Sequence, residues 1–183
     1  MKHLELETKR TFIRKFKPED WKDLYEYLSK EEVVKHEPYD VMDEEACKAE
    51  AIRRATDENF YAVVLKKENK VIGNIYFAKQ QPEELKIWEI GYVFNSDYWK
   101  KGYATESCNR MMQYGFETLS AHRIIAMCNP INSNSWQLLE RLHMRREAHF
   151  VKDNFFHRTK DGAPIWIDTY QYGILAEEFF SFQ

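Results

Sequence analysis

A chain of 183 residues, 44% of them hydrophobic, points to one domain spanning 1–183 with enough core to bury roughly 70% of its unfolded surface. With 27 basic residues against 30 acidic ones the net charge is −3, so no basic field draws the protein toward nucleic acid or a membrane surface. Cys47, Cys108 and Cys128 are odd in number, widely spaced and free of any Cys-x-x-Cys pair, which argues against a disulfide framework or zinc site and fits a reducing compartment. No signal peptide and no apolar run of membrane-spanning length is expected, which reads as a cytoplasmic protein.

Thr11 to Phe16 reads as a first strand. Pro18-Glu19-Asp20 then opens a helix whose apolar side is Trp21, Leu24, Tyr25 and Leu28. Val33 to Met42, with Pro38, reads as a loop, and Asp43 is the expected N-cap of a helix running to about Thr56. Phe60 to Leu65 and Val71 to Lys79 form a hairpin around Glu68-Asn69-Lys70. After the break at Gln81 to Glu84 comes a central strand, Ile87 to Phe94, then a helix, then a buried strand, His122 to Cys128. A helix from Asn132 follows, and strands Arg145 to Val151 and Ile165 to Leu175 flank a long loop, Lys152 to Pro164. The order β α α β β β α β α β β is a mixed α/β layer architecture of about seven strands with four helices.

The most informative stretch is Ile87 to Leu119. Between its strand and its helix lies the turn Tyr98-Trp99-Lys100-Lys101-Gly102-Tyr103-Ala104. Ala104, Cys108, Met111, Gly115, Phe116 and Leu119 then recur at helical spacing. The first N–H groups of a helix lack intrahelical partners, and the dipole adds roughly half a positive charge there. Gly102 lets an anion approach the backbone, and two lysines stand beside it. Such a turn suits a phosphate or pyrophosphate, although it also describes a plain strand-to-helix connection with a basic exterior. A P-loop and a dinucleotide fingerprint are both excluded, because Gly102 is the turn's sole glycine.

Glu89-Ile90-Gly91-Tyr92 followed by Trp99-Lys100-Lys101-Gly102-Tyr103-Ala104-Thr105-Glu106 resembles the acyl-CoA-binding motif of the GNAT acetyltransferases. Asn132-Ser133-Asn134-Ser135-Trp136-Gln137-Leu138-Leu139-Glu140-Arg141-Leu142 resembles that family's Asn-x-x-Ser helix beside the pantetheine arm. Trp99 and the start Thr8 to Arg14 are similar to the ribosomal-protein (RimJ/RimL-like) branch. The resemblance covers about Thr8 to Leu175 and implies the acyl-CoA N-acyltransferase fold, a sheet splayed between its fourth and fifth strands. Trp99 departs from the family's Gln or Arg, and His143 stands where a glycine usually follows the second helix. The histidine suggests that this turn does not need a positive φ.

The resemblance implies acetyl-CoA as cosubstrate, no metal, and a primary amine as acceptor, either a protein N-terminus or a small amine. It implies cofactor contacts from Tyr92, Val93, Phe94, Trp99, Lys100, Lys101, Gly102, Tyr103, Ala104, Thr105, Asn132 and Ser135. The amine must lose a proton, and Glu89 is the first candidate base, with Asp153 and Glu147 as rivals; a solvent-facing or arginine-paired Glu89 is the plainer alternative. Ser135 is the candidate acid for the departing thiolate, or simply a helix-start serine. An N–H of the Tyr92 to Phe94 strand would meet the oxyanion. His143, His149 and His157 do not have a recognised ligand spacing. His36, Tyr39, Trp136 and Trp166 could line the acceptor pocket, although each also suits packing. The alternative function is a non-catalytic acyl-CoA-binding or protein-interaction module on the same fold. The chain is expected to act as a monomer or homodimer, without nucleic acid or membrane.

Overall fold

The computed structural model of the protein describes residues 5–182. Eight strands form one sheet in the order β1-β2-β3-β4-β5-β6-β8-β7. They are β1 (Glu5–Glu7), β2 (Thr11–Lys15), β3 (Phe60–Leu65), β4 (Lys70–Lys79), β5 (Ile87–Phe94), β6 (Arg123–Cys128), β7 (Arg145–Arg158) and β8 (Pro164–Leu175). Six helices accompany them: α1 (Trp21–Leu28), α2 (Glu31–Val34), α3 (Glu44–Thr56), α4 (Tyr103–Glu117), α5 (Ser133–Arg141) and α6 (Ala176–Ser181). The mixed α/β class is as expected. The additions, β1, α2 and α6, run for three, four and six residues, too short to leave a readable period.

The helices cover the sheet on both faces. Leu24, Tyr27 and Leu28 of α1 and Cys47 and Ala51 of α3 pack with Ala62, Val64, Val71 and Val93. Met111, Met112 and Phe116 of α4 and Leu138 and Leu139 of α5 pack with Ile75, Phe77, Ile90 and Ile124 on the other face. In α1 the buried tyrosine is Tyr27 rather than the expected Tyr25, which is 40% exposed. Tyr27 can be fully buried because its hydroxyl donates to Asn74 Oδ1 at 3.0 Å.

Two expectations are corrected. The Lys152 to Pro164 loop is strand for most of its length, and β7 and β8 are joined by Thr159 to Ala163 alone. The polar run Lys152-Asp153-Asn154 sits at a register shift, which hid the strand from a reading based on alternation. The turn after α5 does use a positive φ: His143 lies at +61°. Met144 N donates to Leu139 O at 3.0 Å and His143 N to Glu140 O at 3.0 Å, the paired bonds of a Schellman cap. The His143 ring stacks on Phe182 at 4.3 Å, a contact that glycine could not make.

Gly115 fixes how closely α4 approaches the sheet. A Cβ there would lie 2.7 Å from Phe77 Cζ, and Phe77 is itself stacked on Trp88 at 5.0 Å. Overpacking costs about 1–3 kcal/mol and outweighs the ~1 kcal/mol that alanine gains in a helix. Gly115→Ala should therefore lower the melting temperature, by up to roughly 8 °C for a chain of this size, measured by calorimetry.

Candidate active site

β5 and β6 are parallel, but they pair only between Ile87–Glu89 and Arg123–Ile125. Beyond Glu89, β5 stays bonded to β4 through Phe94, while β6 stays bonded to β8 through Cys128. This is the splay between the fourth and fifth strands of the expected count, because β1 adds a strand before them. Where the two strands part lies a cleft of about 980 Å³.

One end of the cleft is the turn into α4. Gly102, at φ +83°, is the helix N-cap, and its carbonyl accepts the first intrahelical bond from Glu106 N at 3.0 Å. The N–H groups of Tyr103, Ala104 and Thr105 therefore have no carbonyl one turn back to bond. Lys100 also has a positive φ, +58°, and its residue lines the cleft. Trp99 Nε1 donates to Phe94 O at 2.8 Å, so the indole ties the turn to the end of β5.

Glu106, in the first turn, would oppose an anion if left free. Thr8 Oγ1 donates to it at 2.6 Å, Arg10 N at 2.8 Å and Arg10 Nε at 2.7 Å. Those bonds hold its carboxyl below the usual range against the opposing effect of its burial. Arg10 also bonds Lys101 O at 2.9 Å and lies over the Tyr103 ring at 4.3 Å. Arg10 is thus a buttress of the turn that its place just before β2 did not announce.

The other wall is α5. Asn132 is its N-cap, with Oδ1 accepting from Ser135 N at 3.3 Å, so this side chain is partly spent on the helix. The Tyr92 hydroxyl donates to Ser135 O at 3.0 Å and lies 3.1 Å from Ser135 Oγ, which joins β5 to α5 across the gap. Burial holds the Tyr92 phenol protonated, well above its ordinary pKa, and pushes the Cys128 thiol up to about 11.

Of the expected site residues, Tyr92, Val93, Phe94, Trp99, Lys100, Gly102, Tyr103, Ala104, Thr105, Asn132 and Ser135 all line this one cleft. Lys101 does not: its ammonium turns back to Asp97 O at 2.8 Å. Nor does Glu89 line it, although alternation along β5 puts it on the face of Gly91 and Val93, which do. Glu89 is half-buried and burial alone raises its carboxyl pKa. The rival Glu147 is engaged by Arg123 Nη1 and Arg145 Nη2, each at 2.9 Å, and Asp153 is exposed on β7; neither lines the cleft. Of the aromatic candidates for the acceptor side only His36 lines it. Trp136 Nε1 donates to Pro130 O, and Trp166 is 51% exposed beside Phe155.

Sequence reasoning missed several other residues that line the cleft. Glu32, Glu37 and Pro38 come from α2 and its following loop, and Asn154, Phe156, Ile167 and Thr169 from the β7–β8 hairpin. The loop's one informative signal was an acid beside a proline, Glu37-Pro38. Among the described residues there is no group of three or more His, Cys, Asp or Glu side chains able to hold a metal.

A parted parallel strand pair, with a helix N-terminus at one end of the gap and a capped helix along it, is the arrangement that the resemblance to the GNAT acetyltransferases implies. Residues 10–145 match a family model described as an acetyltransferase (GNAT) domain. The chain is 38% identical over 177 residues to an uncharacterized N-acetyltransferase, YnaD, of Bacillus subtilis, covering 96% of this chain and 99% of that one. It is 36% identical to a solved GNAT-family acetyltransferase of Bacillus anthracis, with a TM-score of 0.85 over 96% of this chain and 100% of that one. A spermidine N-acetyltransferase of Vibrio cholerae, solved with CoA and spermine, shares the fold at 15% identity, with a TM-score of 0.75 over 93% and 98% of the two chains. The protein belongs to the GNAT family and is an N-acetyltransferase, an enzyme of a family that uses acetyl-CoA.

The cap geometry gives Asn132 a role that needs no ligand. Asn132→Ala should cost about 1 kcal/mol of stability in the protein alone, a fall of roughly 2–4 °C in Tm. A melting temperature equal to the parent's would leave the asparagine to ligand binding only.

Proposed function

We propose that the cleft takes acetyl-CoA with its pyrophosphate at the Trp99 to Thr105 turn and its pantetheine arm between β5 and α5. The acetyl group then passes directly to a primary amine, on a protein N-terminus such as that of a ribosomal protein or on a small molecule. The observation that carries this reading is the three-residue pairing of β5 with β6, after which the strands separate beside the donor-rich start of α4. The cleft volume suits a ligand of this size, since small-molecule pockets run to roughly 1,000 Å³.

Acetyl-CoA supplies the activated thioester, and the rest falls to the protein's own groups. Glu89, raised by burial, accepts the amine's proton, through a water because its carboxyl stands just outside the cleft lining. An N–H of the Tyr92 to Phe94 segment, free of any strand on the cleft side, meets the carbonyl oxygen. Ser135, held by the Tyr92 hydroxyl, is positioned to return a proton to the sulfur. Direct transfer is favoured over an acyl-cysteine because all three thiols are buried and their pKa values raised. The small-amine acceptor draws support from the spermidine enzyme of the same fold, and the N-terminal acceptor from the similarity of Thr8 to Arg14 to the ribosomal-protein branch.

Acetyl-CoA should stabilise the protein by roughly 2.7 kcal/mol at a hundredfold excess over its Kd. In Gly102→Val, with φ +83° and a Cβ 3.2 Å from Arg10 Nη2, most of that thermal shift should vanish relative to the variant's own unliganded Tm. An undiminished shift would move the cofactor elsewhere.

Glu89→Gln should lower turnover about 10²–10⁴-fold near neutral pH, followed by free-thiol release against amines and N-terminal peptides. Raising the pH should restore part of the rate, since more of the acceptor is then already neutral. A pH–rate profile matching the parent's would exclude Glu89 as base.

A further inference from the structure

Three carboxylates line the cleft: Glu32, Glu37 and Glu106. Glu106 is held by Thr8 and Arg10 at the cofactor end. Glu32 is exposed and accepts from Ser96 Oγ at 3.0 Å. Glu37 differs from both. Its backbone is fixed, with N donating to Val34 O at 2.7 Å, yet its carboxylate has no hydrogen-bond or ion-pair partner among the described residues.

The cation nearest in effect is Arg54 of α3, only 1% exposed. Its guanidinium is already committed, with Nε to Glu50 Oε1 at 2.6 Å and Nη1 to Asn74 Oδ1 at 2.8 Å. Arg54 therefore lends Glu37 a favourable field without neutralising it. The net effect of burial is to raise Glu37 to about 7, where an ordinary glutamate titrates near 4.5. A half-buried carboxylate left unpaired on the wall of a cleft is costly, which makes it a functional candidate.

We propose that Glu37 is the specificity-determining carboxylate of the acceptor site, receiving the amine as an ammonium ion before Glu89 takes its proton. The inference rests on the acetyl-transfer reading above and deepens it: the preferred acceptors are amines that are cationic in solution. Recognition and deprotonation are thus assigned to different carboxylates. Glu37 binds the charged form and Glu89 discharges it.

The pH dependence follows with its sign. The carboxylate is ionised above about pH 7, so the KM for a cationic amine should rise as pH falls through that value. The charged or titratable groups around it are Arg54 from α3, and His36 and Tyr39 from its own loop, while Glu32, Lys35 and, from α5, Arg141 line the same cleft. The hairpin residues lining the cleft, Asn154, Phe156, Ile167 and Thr169, are uncharged.

The test compares the full-length parent with Glu37→Gln and Glu37→Asp. Free-thiol release is followed with acetyl-CoA, using an alkylamine and an arylamine that is neutral at the assay pH, from pH 6 to 8.5. Glu37→Gln should raise KM for the alkylamine about 10–100-fold, as expected for one charge-assisted hydrogen bond. It should flatten the pH dependence of that KM, and KM values for the arylamine and for acetyl-CoA should stay within about twofold. Glu37→Asp should recover part of the loss. Equal losses on both amines, an unchanged alkylamine KM, or a loss of acetyl-CoA affinity would each overturn the assignment to Glu37. A parent enzyme that turns over neither amine, nor any N-terminal peptide, would instead overturn the transfer reading itself.

Discussion

Everything about the site depends on β5 and β6 pairing for three residues and then ceasing to pair. A parallel pair would ordinarily continue, because each unpaired N–H or C=O costs about 1–3 kcal/mol when buried. Here the remainder of β5 satisfies one side on β4, the remainder of β6 satisfies one side on β8, and the edges between them face an open cleft. Tyr92 ties the parted strand to the helix beside it: its ring packs against the core while its hydroxyl bonds Ser135 in the first turn of α5. The gap is therefore built into the packing, and it presents backbone donors to whatever enters.

The Gly102 end of the cleft is an electrostatic arrangement made largely of backbone. The positive φ values at Lys100 and Gly102 turn the chain into α4, and the first three N–H groups of that helix are left without intrahelical acceptors. Glu106 suits the helix dipole but would repel a pyrophosphate. Three hydrogen bonds from Thr8 and Arg10 absorb its charge, and Arg10 extends to Lys101 O. The segment before the second strand thus braces a turn more than ninety positions away, although only Lys100 of the two lysines reaches the cleft wall.

This explains which parts were legible in the sequence. A site made from backbone leaves a signature in the residues the backbone requires: Gly102 at its φ of +83°, and Asn132 at a helix start. Strand β3 and helix α3 were readable because their signals are local, a run of β-branched and aromatic residues in one and the Asp43 N-cap in the other. Both strands of the β7–β8 hairpin were read in part, but the Lys152 to Arg158 half of β7 was not, because irregular register there breaks the alternation that marks a strand. His143 misled for a related reason: its αL conformation is supported by the Schellman bonds and by stacking on Phe182, a partner from the far end of the chain.

The cleft wall made by the loop after α2 was the least legible because the residues packed beneath it are distant in sequence. The loop after α2 makes few backbone bonds, among them Glu37 N to Val34 O and Met42 N to Leu28 O. Beneath it lies Arg54, buried and satisfied by Glu50 from one turn earlier and Asn74 from β4, with Tyr27 sharing the same Asn74 oxygen. Tyr39 of the loop packs against the same core, and burial pushes its phenol above the ordinary tyrosine pKa. A buried cation is tolerable only when its donors are matched, and Glu50 and Asn74 match those of Arg54 beneath the loop. The two walls thus obey different physics. The turn into α4 is constrained by dihedral angles, so its residues are dictated by backbone geometry. The loop after α2 lies over the charge balance around Arg54, so its cleft-facing positions can change chemistry without disturbing that turn.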